Sequence, residues 1–292
     1  MTIATTANGD KPVVAQDWLP AGFSRIKLAG TEGGKYLAAY VAGPEDAETV
    51  LFNTSILTDS RVWKDQAARA LALGYRVVCV DFRGHGASSP FSPPYTMQGL
   101  IADNISIFDE LNIDRAHLVG VSMGGMVGLG FGILHPDRIQ SLTLCATRGN
   151  APAAFAAGWD ERIALATKQG TGSLVESTCE RWLGANYVSH PAYGLIAQMI
   201  QDTSTEGFAG GAQAIQKLDF LRDAGKVIAP TLLIVGQNDA GMLQPMHVLH
   251  EAIKGARLET IANAGHLPQF DDVNKFNELL FDHMHANKPI AD

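Results

Sequence analysis

The chain has 292 residues, 22 basic against 30 acidic, and a formal net charge of −8. That is one large domain or a core with an insertion, and the acidic balance argues against nonspecific binding to nucleic acid or anionic membrane. With 46% apolar residues, three scattered cysteines and no run of roughly 18 apolar residues, the composition excludes wholesale disorder, a disulfide framework, a zinc site and a membrane span.

Residues 1–23 are small, polar and aperiodic, and are expected to form an N-terminal arm. They carry no apolar stretch behind a basic start, so no secretory leader is expected and a cytoplasmic location is. Strand patterns follow at Ser24–Ala29, Tyr36–Ala42 and Thr49–Asn53. Val62, Ala67, Ala70 and Leu71 fit a helix from Ser60 to Leu73, closed by Gly74. Tyr75–Asp81 is nearly all apolar, as a strand buried on both faces should be. Met97, Leu100, Ile101, Ile105, Phe108 and Leu111 make a helical stripe. Ala116–Val121 predicts a strand, Met123–Leu134 a helix and Ile139–Ala146 a strand.

The alternation then stops. Residues 148–225 read as helices with Gly- and Ser-bearing breaks, and strands and helices resume at Pro230–Gly236, Gln244–Ile253, Arg257–Ala262 and Val273–His283. This order predicts an α/β core at 24–147 and 226–287, with helices on both faces of a mostly parallel sheet and a helical cap at 148–225. Ligands in such sheets sit at the carboxyl ends of the strands.

Gly120-Val121-Ser122-Met123-Gly124 lies between a predicted buried strand and a predicted helix. A serine there stands on a sharp turn with its hydroxyl exposed and the helix N-terminus beside it, which marks Ser122 as a nucleophile. Serine needs a base. Of nine histidines, His266 follows the last strand and precedes the last helix; His85, in a Gly-flanked turn, reads as structural. The base needs an acid to fix its tautomer, and Asp239 ends the penultimate strand. Two N–H groups must face the developing oxyanion. Met123, after the nucleophile, supplies one; Ile56, in the loop Asn53–Asp59, is expected to supply the other.

These stretches resemble the α/β-hydrolase superfamily, from about residue 24 to 285. Thr54-Ser55-Ile56-Leu57-Thr58-Asp59 with Trp63, Asp81-Phe82-Arg83-Gly84-His85-Gly86, Gly120–Met126 and Arg181-Trp182-Leu183 are similar to the bacterial 3-oxoadipate enol-lactonase group. The resemblance implies the α/β-hydrolase fold with a mostly parallel eight-stranded sheet, and hydrolysis of a carboxylic ester or lactone through an acyl-enzyme, in a pathway of aromatic catabolism. It departs at Thr54, where that group typically has asparagine, and at Leu57, where it has glycine. The resembled substrate carries a carboxylate, and Arg148, Arg162, Lys168 and Arg181 are candidate cations. Ser55, Trp159, Arg181, Trp182 and Tyr187 are candidate substrate contacts. No metal or organic cofactor is expected, nor a nucleic-acid or membrane partner; the partner is a small ester or lactone, with a homo-oligomer left open. A C–C hydrolase on the same triad and a non-catalytic small-molecule receptor remain alternatives, while Cys145 and Cys179 lack a suitably placed histidine for a thiol mechanism.

Overall fold

The computed structural model describes residues 22–30 and 32–288. Residues 1–21 of the expected arm lie outside them. The chain opens with β1 (Ser24–Ala29), β2 (Tyr36–Ala42) and β3 (Thr49–Asn53), the last fully buried. α1 (Lys64–Ala72) leads to β4 (Arg76–Val80), then α2 (Met97–Glu110), β5 (Ala116–Val121), α3 (Met123–Leu134) and β6 (Ile139–Cys145). After the helical insert come β7 (Thr231–Gly236), α8 (Leu243–Ala252), β8 (Arg257–Ile261), α9 (Pro268–Asp271) and α10 (Val273–Ala286). The insert holds α4 (Ala153–Gln169), α5 (Val175–Leu183), α6 (Tyr193–Asp202) and α7 (Thr205–Gln216).

The eight strands form one sheet in the order β1-β2-β4-β3-β5-β6-β7-β8. β1 and β2 pair antiparallel, as do β2 and β4; every other pairing is parallel. β4, β5 and β7 are buried along their whole length, which is why their sequences are apolar runs rather than alternating ones. Helices cover both faces: Phe52 of β3 packs on Trp63, which packs on Phe276 of α10, while Phe108 of α2 meets Phe131 of α3.

The predicted helix Ser60–Leu73 divides into a 3-10 turn, Ser60–Trp63, and α1. The cause is local: the Asp59 carboxylate accepts the Arg61 N–H, and the Asp81 carboxylate accepts the Ser60 N–H, so the first turn is pinned from outside the helix. Between His266 and α10, the short α9 has no apolar stripe and escapes a periodicity reading.

Within the insert, α4 packs on α7 and α5 on α6. The insert is tied to the core where Ser204 N–H donates to Gly84 O at 2.8 Å. Gly84 sits at φ +71, and a methyl there would lie 2.5 Å from the Gly207 Cα. Only a glycine lets the two backbones approach so closely.

Candidate active site

Ser122 stands between β5 and α3 with φ +55 and ψ −113, a conformation that costs a non-glycine residue on the order of 1–3 kcal/mol. It persists because the backbone is held on both sides. Its N–H donates to Cys145 O at 2.8 Å, and its carbonyl accepts from the Met126 N–H at 3.0 Å and the Thr147 hydroxyl at 2.8 Å. A methyl on Gly124 would meet Asn53 O at 2.5 Å, so the motif's second glycine lets α3 start hard against the end of β3.

His266 and Asp239, 27 residues apart, meet directly: His266 Nδ1 lies 2.7 Å from Asp239 Oδ2, with both side chains buried. A carboxylate at Nδ1 holds the proton there and leaves Nε2 as the acceptor facing a reacting group. Two further contacts orient the ring. The His266 N–H donates to Trp182 O at 3.0 Å, and the Trp182 indole stacks on the imidazole at 5.4 Å with the planes 26° apart. The preceding residue is fixed as well, Gly265 N–H donating to Asp271 Oδ2 at 2.7 Å. Among the described residues no hydrogen bond joins the Ser122 hydroxyl to His266. In free enzymes such bonds are often long and tighten around substrate.

The loop after β3 carries Ile56, a buried residue whose N–H has no hydrogen-bond partner among the described residues. A buried backbone donor needs a partner, and this one is left free to meet a ligand oxygen or a water. The next residue, Leu57, sits at φ +63, the left-handed region that favours glycine. The loop is closed internally by Thr58, whose hydroxyl accepts the Ser55 N–H and donates to Ser55 O. Behind it is a charged network that sequence reasoning missed. Arg61 grips Asp59 through Nε and Nη2, and Nη2 also reaches Asp202 at the end of α6, at 2.7 Å. Burial alone would weaken the Arg61 hold on its proton, but the two carboxylates outweigh it and raise its pKa. Asp81 is pushed well above the usual carboxylate range by burial and by Asp59, against donors from Ser60 and the Ala87 N–H. Nothing in composition marks Arg61; only the Asp59-Ser60-Arg61 cluster beside a candidate oxyanion loop could have drawn notice.

The substrate candidates divide. Trp182 lies against the His266 imidazole. Trp159 packs on Phe208 of α7, and one turn along that helix Gly211 lies close to the Met123 and Ile56 side chains. Ser55 is buried with its hydroxyl unpartnered. Arg181 is solvent-exposed; protein crowded around it lowers its pKa, and the Asp239 charge opposes that. Water screens so exposed a group. Tyr187 packs edge-on against Tyr193 and, among the described residues, makes no ring contact or hydrogen bond with Ser122, Asp239 or His266. Arg148 donates to Asn150 O and lies over Phe155, Arg162 donates to Thr178 and lies over Trp159, and Lys168 is exposed.

Burial lowers the pKa of His85, fully enclosed with Nδ1 beside Arg83 O, to about 4, which suits a structural residue. Cys79 and Cys145 are buried and their thiols raised, Cys179 to about 11, so none offers a thiolate near neutrality. Cavities of about 380 Å³ at the amino ends of β3–β6 and about 280 Å³ beside Arg148 are lined by none of Ser122, Asp239 and His266. Ser122 itself is buried, at 5% exposure.

Comparison with known proteins agrees with this geometry. The family model for the alpha/beta hydrolase fold matches residues 48–273. The chain is similar to 3-oxoadipate enol-lactonase 1 of Acinetobacter baylyi, 33% identical over 249 residues, covering 84% of this chain and 92% of that protein. Among solved structures it resembles the enol-lactonase of Burkholderia xenovorans (TM-score 0.82, 30% identity, 88% of this chain and 99% of that one). A hydrolase from Pseudomonas aeruginosa aligns with a TM-score of 0.84 and 30% identity over 89% of this chain and 98% of its own. Eight strands in this order, a glycine-flanked serine on a strained turn and a family match across most of its length show that the chain belongs to the α/β-hydrolase family.

Proposed function

We propose that this hydrolase cleaves the acyl–oxygen bond of a small carboxylic ester or lactone, with an enol-lactone as the first candidate, through Ser122, His266 and Asp239. The observation that carries the reading is the 2.7 Å contact of His266 Nδ1 with Asp239, in a chain whose Ser122 is held at φ +55 on the same edge of the sheet. His266 Nε2 takes the Ser122 proton as the hydroxyl oxygen attacks the carbonyl carbon. The carbonyl π pair moves to oxygen, where the Ile56 and Met123 N–H groups stabilise it; one such donor is worth about 3 kcal/mol in comparable sites. Collapse expels the alcohol or enol oxygen, which takes the proton from His266, and leaves an acyl group on Ser122. In a lactone the leaving group stays tethered, and an enol so released becomes a ketone. Water, deprotonated by His266, then attacks the acyl carbon; the acyl–Ser122 bond breaks, Ser122 oxygen takes the proton back from His266, and the acid is freed.

The lactonase relatives support the ester-or-lactone class. Turnover of 4-nitrophenyl acetate and of an enol-lactone by the wild type, with loss of both in Ser122→Ala, tests the reading. Turnover that survives Ser122→Ala sinks it.

A further inference from the structure

The loop that carries Ile56 holds a conformation it would not choose by itself. Leu57 lies in the left-handed region at φ +63, and a non-glycine residue stays there only when its surroundings over-determine it. From within, the loop is held by the Ser55–Thr58 turn. From without, the next residue along, Asp59, is gripped by Arg61 through three contacts of 2.7–3.1 Å. That guanidinium also bonds Asp202, 141 residues away, at the C-terminal end of α6. All three charged groups are at least three-quarters buried, and the guanidinium compensates a carboxylate on each side. Asp202 is further fixed by the Gln198 amide at 2.8 Å, one turn back on α6. Two residues beyond it, Ser204 docks on Gly84. The end of α6 is therefore seated on the core beside the loop.

We infer that Asp202, acting through Arg61 and Asp59, is a positioning residue that holds the Ile56 N–H in the geometry the oxyanion requires, so that the cap helps build the reacting site as well as covering it. The inference rests on the reading of Ile56 as an oxyanion donor. Neither Asp202 nor Arg61 is taken to touch substrate. Their effect belongs in kcat, because a displaced donor weakens the transition state more than it weakens the bound ester.

The test measures the loop itself as well as the rate. Backbone hydrogen exchange over residues 53–59 is compared in the wild type, Asp202→Asn and Asp202→Glu, beside kcat and KM for 4-nitrophenyl acetate. In Asp202→Asn, exchange is expected to quicken about fivefold or more in that segment. kcat should fall about tenfold with KM changed less than about twofold, a partial loss compared with removing a donor outright. Asp202→Glu, which keeps the charge, should recover most of both. Unchanged exchange with unchanged kcat overturns the inference. So does a raised KM with unchanged exchange, which would place Asp202 in substrate binding. If the wild type shows no esterase activity, the proposed function falls while the exchange data still decide the loop's dependence on Asp202. Should Asp202→Asn not fold, Arg61→Lys, which cannot hold two carboxylates in one plane, must quicken the same exchange; no change there overturns the inference equally.

Discussion

Gly265→Ala puts the placement of His266 to a strict test. A methyl built on Gly265 lies 2.2 Å from the Trp182 carbonyl oxygen, whereas a comfortable carbon–oxygen contact is roughly 3.3 Å. About 1 Å must therefore be found between two backbone segments, because neither atom is the end of a flexible side chain. The backbone of Gly265 is not in a glycine-only region, so the obstacle is contact alone. The oxygen that must yield is the one accepting the His266 N–H at 3.0 Å, and Gly265 itself is tied to Asp271 at 2.7 Å. Relief moves either the Trp182 backbone, with the indole stacked on the imidazole, or the loop bearing His266. A misplacement of about 1 Å at a catalytic group costs on the order of 100-fold in rate. Overpacking should add about 1–3 kcal/mol of destabilisation. Steady-state kinetics on an activated ester, with urea unfolding at the same pH, separates the two effects. The expected result is a folded enzyme with kcat down about 100-fold. A kcat within about threefold of wild type would mean that His266 is not held by this seam, and the reasoning fails.

Asp239→Asn should keep the fold but favour the wrong imidazole tautomer, lowering kcat about ten-thousand-fold as in other triads; a loss under about tenfold in steady-state kinetics would remove Asp239 from its assigned role. Gly158→Ala, on α4 with nothing within 4 Å of the added methyl, should raise unfolding stability by about 0.5–1 kcal/mol, read from the urea midpoint; destabilisation would contradict the open space. Asp81 has its folded-state pKa raised by burial and by Asp59. Its contribution to stability is thus complete below the ordinary carboxylate pKa of about 4 and is lost as pH rises through the elevated folded value. Asp81→Asn should flatten the wild-type decline in unfolding free energy between about pH 4 and neutrality, though its amide would face the Ala87 N–H and lower the curve as a whole. Parallel curves for the two proteins would show that Asp81 does not titrate in this window.

Much of the core was legible because its signals are local. A strand buried on both faces must be apolar throughout, so Ala116–Val121 and Met123–Leu134 come out with the bounds that the sequence predicts. The serine turn needs glycines within two residues, and that spacing places Ser122 at the carboxyl edge before any coordinates exist. His266 and Asp239 follow from the same rule, since each sits just past a strand end in a parallel sheet.

One strand, one turn or one helix face can thus encode the alternation, the strained serine, and the edge on which the histidine and aspartate stand. Tertiary packing alone set Trp182 on the imidazole, Tyr187 against Tyr193, and Arg61 between Asp59 and an Asp202 that lies 141 residues beyond the arginine. Those pairings depend on how the cap helices seat on the sheet. A buried charge leaves no periodic trace in the chain, and its partner is set by which distant carboxylate the packing brings within hydrogen-bond reach.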